Sequence, residues 1–193
     1  MTILLLGLVL FLGVHSTRIV ADGWRTRTIA RIGEKAWKGL YALASVAAFV
    51  LVVWGWGLAR HSPVVLWASP AGMRHLSALL MAVALVLLVA TYVPGNGIKA
   101  RLHHPMLLSV KVWAAAHLLA NGTLADLLLF GGFLAWAVLG FRSARQRDRA
   151  SGAVYAPGRT GPTLVAVALG MALWAALVMG GHAWLFGVSP LGA

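Results

Sequence analysis

Six long apolar runs separated by short charged stretches constrain this chain more than any other feature: about 3–20, 40–59, 76–93, 105–120, 124–141 and 164–186. Residues 40–59 and 76–93 carry no charge. Twenty helical residues rise about 30 Å, the thickness of a bilayer's hydrocarbon core. A segment in lipid must satisfy its own backbone polar groups, which a helix does. The expected fold is therefore an all-α integral membrane protein, about six transmembrane helices in one bundle, forming a single domain over 1–193. Composition agrees: 61% of residues are hydrophobic and only 10% charged, against roughly 25% charged in soluble domains.

The first run has no basic stretch before it and no small-residue cleavage site after it, so it reads as a retained helix rather than a signal peptide. A basic loop follows, with Arg25, Arg27, Arg31, Lys35 and Lys38 against Asp22 and Glu34. Pro94-Gly95-Asn96-Gly97 marks a turn. Asn121-Gly122-Thr123 is a tight turn that returns the fifth run antiparallel beside the fourth. Gly152, Pro157, Gly158 and Pro162 mark a flexible loop before the sixth.

Lys and Arg divide unevenly between the two sides. Thirteen lie in the connections after runs one, three and five; Arg60 and Arg74 lie on the other side, and Lys111 lies inside a run. The positive-inside rule makes the basic side cytoplasmic and both termini outward-facing. The +12 net charge then reports topology and contact with anionic lipid in the bilayer. It does not report nucleic acid, since no basic patch is interleaved with aromatics on a foldable module. The chain has no cysteine, which removes disulfides and thiolate ligands.

Polar residues inside membrane runs are expensive and mark function by default. The fourth run is the richest: His103 and His104 precede Pro105, Lys111 lies two turns in, and His117 lies near the far end. Pro105 suits a first helical position, and His104 sits near the cap. His104 and His117 are thirteen residues apart, about 20 Å along a helix and roughly 140° around it, so they cannot share one metal. A second ligand must come from another helix, with His15 in the first run and His182 in the sixth as candidates. Asp126 lies just past the turn, where a carboxylate can orient His117 through its other ring nitrogen. Lys111 either snorkels toward the cytoplasmic surface or pairs with an anionic group such as a haem propionate. His61 and His75 read as solvated interfacial histidines.

Zinc hydrolysis fits poorly. There is no His-Glu-x-x-His, and the one glutamate, Glu34, lies in the basic loop. No serine has a base at recognisable spacing. A porphyrin between helices, which needs only one or two axial imidazoles in an apolar cleft, suits the composition better.

Gly7-Leu8-Val9-Leu10-Phe11-Leu12-Gly13-Val14-His15-Ser16, His104-Pro105, His117-Leu118-Leu119-Ala120-Asn121-Gly122 and Asp126-Leu127-Leu128-Leu129-Phe130-Gly131 resemble the NnrU family. The ending His182-Ala183-Trp184-Leu185-Phe186-Gly187 is similar too. The resemblance covers nearly the whole chain. It implies a bacterial inner-membrane protein linked to nitrite and nitric oxide metabolism. The family is similar to 15-cis-zeta-carotene isomerases, integral membrane proteins holding b-type haem. That implies haem b here, with axial ligands at the positions matching His15 and His117, and a polyene or nitric oxide as ligand. Those relatives can carry a cysteine one turn before the second histidine; here Ala114 stands there. A more distant likeness to isoprenylcysteine-type membrane methyltransferases fails at His103-His104-Pro105, which lacks the flanking arginine and tyrosine.

Counted along the helices, His15 lies roughly 20 Å below the outer surface and His117 roughly 6 Å. Axial nitrogens on one iron stand only about 4 Å apart. By depth, His117 matches His182 and His15 matches His104, which makes those two the reserve ligands. Three functions compete: a haem protein of nitrite and nitric oxide metabolism, a haem-dependent cis–trans isomerase of a polyene, and a haem-free assembly factor or transporter.

Overall fold

The computed structural model describes residues 1–70 and 72–192. The chain is helical almost throughout: α1 (Thr2–Val20), α2 (Asp22–Ile32), α3 (Glu34–Ala59), α4 (Met73–Tyr92), α5 (Gly97–Leu102), α6 (Pro105–Ala120), α7 (Leu124–Ser151), α8 (Thr160–Ala176), a π-helical turn (Leu177–Gly181) and α9 (His182–Phe186). Among the described residues, five stretches are long and apolar enough to cross a membrane: α1, α3, α4, α7 and Thr160–Phe186. Each pairs this length with outward apolar side chains, such as Val9, Leu43 and Leu139. The molecule is a multi-pass helical membrane protein.

Three boundaries differ from the sequence expectation. The basic stretch after the first run is helix rather than loop: α2 occupies it, Gly33 breaks the chain at φ 85, and α3 begins at Glu34. Glu34 and Lys38, one turn apart and 2.8 Å from each other, support that first turn. α7 continues ten residues past the expected end, because arginines are good helix formers. It stops at Gly152, whose left-handed φ of 62 suits a residue without Cβ. The sixth run is interrupted at Gly180, where φ is 140.

The helices pack in the order α3–α1–α7–α6–α4–α8. α1 and α3 cross closely because Gly7 faces the backbone of Leu51 and Val52, and Gly55 faces that of Ile3 and Leu4. The central cluster includes Leu4, Leu8, Val52, Ala114, Leu129 and Phe130.

α6 has only sixteen residues, about 24 Å, less than a hydrocarbon core. Its flanks need protein partners, since lipid supplies none. At the C-terminal end the segment after α3 provides them. Leu66 and Trp67 donate their N–H groups to the Gly122 carbonyl at 2.8 and 3.2 Å, Leu124 N–H donates to Val64, and Ser69 Oγ donates to Leu119. Along its length α6 is stapled to α4: Ser109 Oγ donates to Ala84, and Ser77 Oγ to Ala116. At the basic end the segment expected to be flexible is pinned. Arg159 N–H donates to Gly95, and Gly97 N–H to Thr163 Oγ1. Asn96, 1% exposed, donates to the carbonyls of Ala90 and Val93 and accepts from Lys99 N–H.

Candidate functional site

His15 and His117 lie on α1 and α6, the two helices that flank α7. His15 Nδ1 donates to the Phe11 carbonyl at 2.7 Å, and His117 Nδ1 donates to the Trp113 carbonyl at 2.9 Å. Each bond spans four residues and is bent back onto the helix's own ladder. In a neutral imidazole it leaves Nε2 as the lone-pair nitrogen. A ligating histidine ordinarily ties its other nitrogen to a carbonyl in this way. The rings pack alike as well: His15 stacks on Phe11, centroids 4.2 Å apart, and His117 stacks on Phe130, 4.5 Å apart.

α7 supplies a stripe between them. Phe130, Phe133 and Trp136 follow at spacing three, so they share a face. His117 meets Phe130, and His15 meets Trp136 edge-on at 6.1 Å. Phe133 touches both Phe11 (5.6 Å) and Trp113 (5.4 Å). A continuous aromatic path therefore runs His15–Phe11–Phe133–Trp113–His117. The partners on α7 are six residues apart, about 9 Å of axial rise. The two imidazoles thus lie on one seam but at different depths, with rings between them.

This arrangement fits haem iron in donor chemistry, with two imidazoles whose Nε2 atoms are free in an aromatic lining. Either histidine singly could hold the iron through its Nε2. As packed, the pair does not reach one iron, because Phe11, Phe133 and Trp113 fill the interval. Among the described residues, no group of three or more His, Cys, Asp or Glu side chains is placed to hold a metal ion.

Asp126 has a different partner set from the one expected. Its carboxylate accepts from Thr123 Oγ–H at 2.6 Å and Thr123 N–H at 3.3 Å, while Thr123 Oγ1 accepts from Asp126 N–H. This is a capping box that starts α7. Trp56 Nε1–H also reaches the carboxylate at 3.4 Å. Its hydrogen bonds are those of a helix start, and the orienting bond to His117 comes from the Trp113 carbonyl instead. Lys111 places Nζ 4.0 Å from the Phe141 ring centroid. That is a cation–π contact with a ring on α7.

His104 caps α6, with Pro105 in the first turn as expected. Its Nε2 bonds Asp148 at 2.8 Å. The same carboxylate oxygen accepts from Tyr155 O–H at 3.0 Å and lies 3.7 Å from His103 and 3.8 Å from Arg145. His103, at φ 60, stacks on Tyr155 and is bonded by Arg145. Asp148 thereby ties the end of α7 to the start of α6 and to the segment after α7. Desolvation, and then the bond to Asp148, push the Tyr155 phenol above its ordinary value. His104 is engaged here and is not brought to His15. His182 donates Nδ1–H to Val188 and packs on Phe186, both in its own terminal segment. His61 donates to the Gly57 carbonyl on the exposed surface.

His15 also lines a cleft of about 470 Å³ at the basic end, between α1, α2 and α3, with Arg18, Arg25, Trp37 and Tyr41.

The histidines stand out in the sequence, and part of their surroundings is legible beside them. An aromatic residue stands four positions before each of them, Phe11 before His15 and Trp113 before His117, and that spacing was readable. So was Phe130-x-x-Phe133-x-x-Trp136. The Asp148 cluster was not readable, since it joins residues more than forty positions apart across three elements.

The fold defines a multi-pass helical membrane protein. The family comparison is more specific: the model described as "NnrU protein" matches residues 3–190, and the chain belongs to the NnrU family. No curated protein and no solved structure matches it.

Proposed function

We propose that this protein binds b-type haem at the α1–α7–α6 seam of a bacterial inner membrane, in the service of nitrite and nitric oxide metabolism. The observation that carries the reading is the placement of His15 and His117 along one aromatic stripe of α7. Each commits Nδ1 to the carbonyl four residues back and leaves Nε2 over, a bond that His61 also makes on the exposed surface, away from that stripe. His117 or His15, each taken singly, would hold the iron through Nε2. Haem in this place supplies a site for a small diatomic ligand or an electron. The carbonyls of Phe11 and Trp113 fix the tautomer and ring orientation of each imidazole. Phe130, Phe133 and the neighbouring tryptophans keep water from the seam.

A second reading, haem-dependent cis–trans isomerisation of a polyene within the bilayer, draws on the aromatic path itself, because a conjugated chain stacks on such rings. Both readings are tested by iron content after expression with ample haem. His117→Ala loses bound iron, while His61→Ala, on the exposed surface, keeps it. Equal retention by the two variants contradicts the site. A haem-free assembly or transport role predicts no iron in any variant.

A further inference from the structure

The cleft at the basic end of α1 carries an inference of its own. Its walls differ in character. Val14 and Ile29 are apolar, and Trp37 and Tyr41 present aromatic faces. Arg18, Arg25 and Lys38 bring positive charge, against Glu34 alone in the lining. Glu34 is taken by Lys38 at 2.8 Å. Arg25 has Asp22 at 3.7 Å, a loose contact. Arg18 has no carboxylate partner among the described residues. A third guanidinium stands close by, since Arg147 donates to the Arg18 carbonyl at 3.4 Å. The corner therefore holds more cation than the protein neutralises.

Its level in the membrane follows from its composition. Trp24 and Trp37 meet edge to face at 5.7 Å, and Trp37 neighbours Tyr41. Tryptophan and tyrosine gather at the lipid headgroup level. α2 mixes Trp24, Ile29 and Ile32 with Arg25, Arg27 and Arg31, the make-up of a helix lying in the interface plane. An apolar floor, an aromatic wall and surplus arginines at headgroup depth match an anionic amphiphile, and the bilayer supplies one.

We propose that the cleft between α1, α2 and α3 is a binding site for an anionic phospholipid, with its phosphate held by Arg18 and Arg25 and its glycerol and first methylenes lying on Val14, Ile29, Trp37 and Tyr41. His15 lines one edge of the same cleft, so lipid preference is read separately from iron content. The test uses the full chain and measures binding to vesicles of phosphatidylcholine, with and without phosphatidylglycerol, together with lipid retained after purification. The protein retains phosphatidylglycerol in preference to phosphatidylcholine. Raised salt erodes that preference without any substitution. Arg18→Gln with Arg25→Gln lowers apparent affinity for phosphatidylglycerol about tenfold or more, the scale of two lost surface cations. Arg142→Gln with Arg149→Gln, elsewhere on the basic face, removes the same charge without touching the cleft and lowers the affinity less than the Arg18 and Arg25 pair does. Arg18→Lys with Arg25→Lys keeps the preference. The proposal is overturned if the two lipids bind equally, if the Gln pair has no more effect than the Arg142 and Arg149 pair, or if inorganic phosphate displaces the lipid. It is overturned equally if the Gln pair lowers haem retention while lipid preference stays intact.

Discussion

His15 and His117 repeat one local bond on two helices that face the same third helix. Each imidazole Nδ1 donates to the carbonyl four residues earlier, at 2.7 Å on α1 and 2.9 Å on α6, and each ring stacks on a phenylalanine. The bond fixes the ring against its own helix. It also decides which nitrogen remains for chemistry, and four predictions about the surrounding framework follow from the same packing.

The bias of Lys and Arg toward one end predicts that this end faces the cytoplasm. The chain lacks cysteine, so a single introduced cysteine reports its side cleanly. Pro63→Cys is expected to react with a membrane-impermeant maleimide in intact spheroplasts, and Ser151→Cys only after permeabilisation. The reverse pattern contradicts the outward placement of the termini.

The crossing of α1 and α3 depends on Gly55. A Cβ there meets the backbone of Leu4 and Ile3, whereas one on Gly57, two residues on, meets open space. Gly55→Ala should lower stability in detergent by about 1–3 kcal/mol, the usual cost of overpacking. Gly57→Ala should be near neutral. Comparable unfolding temperatures for the two variants argue against this crossing.

Thr123 and Asp126 start α7 through reciprocal bonds. Thr123→Ala should destabilise by about 1 kcal/mol. Asp126→Asn should also destabilise while leaving any haem spectrum unchanged, since the carboxylate serves the helix start. A shifted Soret maximum in Asp126→Asn with unaltered stability reverses that assignment.

Asp148 anchors the segment after α7 through Tyr155 O–H. The phenol's pKa lies above its ordinary 10.0. Its contribution is therefore complete below that ordinary value and is lost as pH rises through the raised one. Trypsin cutting at Arg159 should accelerate at strongly alkaline pH, relative to cutting at Arg31, and Tyr155→Phe should show the faster cutting already at neutral pH. Identical cleavage rates for Tyr155→Phe and the unaltered protein at neutral pH exclude the anchor.

The apolar runs made the principal helices legible, because lipid leaves a long uncharged segment few alternatives. Their ends were less legible. Arg142 to Arg149 looked like a loop by charge, but arginine favours helix and Gly152 is the residue that stops it. The histidines stood out by their cost in a membrane. The partner of Asp126 was legible, since Thr123-Leu124-Ala125-Asp126 has the spacing of a capping box, whereas His104 is claimed by Asp148 forty-four residues away, which no local pattern announces. Helix-end counting placed His15 and His117 at different depths, and the α7 stripe from Phe130 to Trp136 agrees.

The absorption spectrum of the unaltered protein, expressed with ample haem and purified in detergent, tests the central claim most directly. Haem on His117 or His15 gives a Soret band that remains with the protein through gel filtration and moves on reduction. A purified, monodisperse protein with no Soret band contradicts the account.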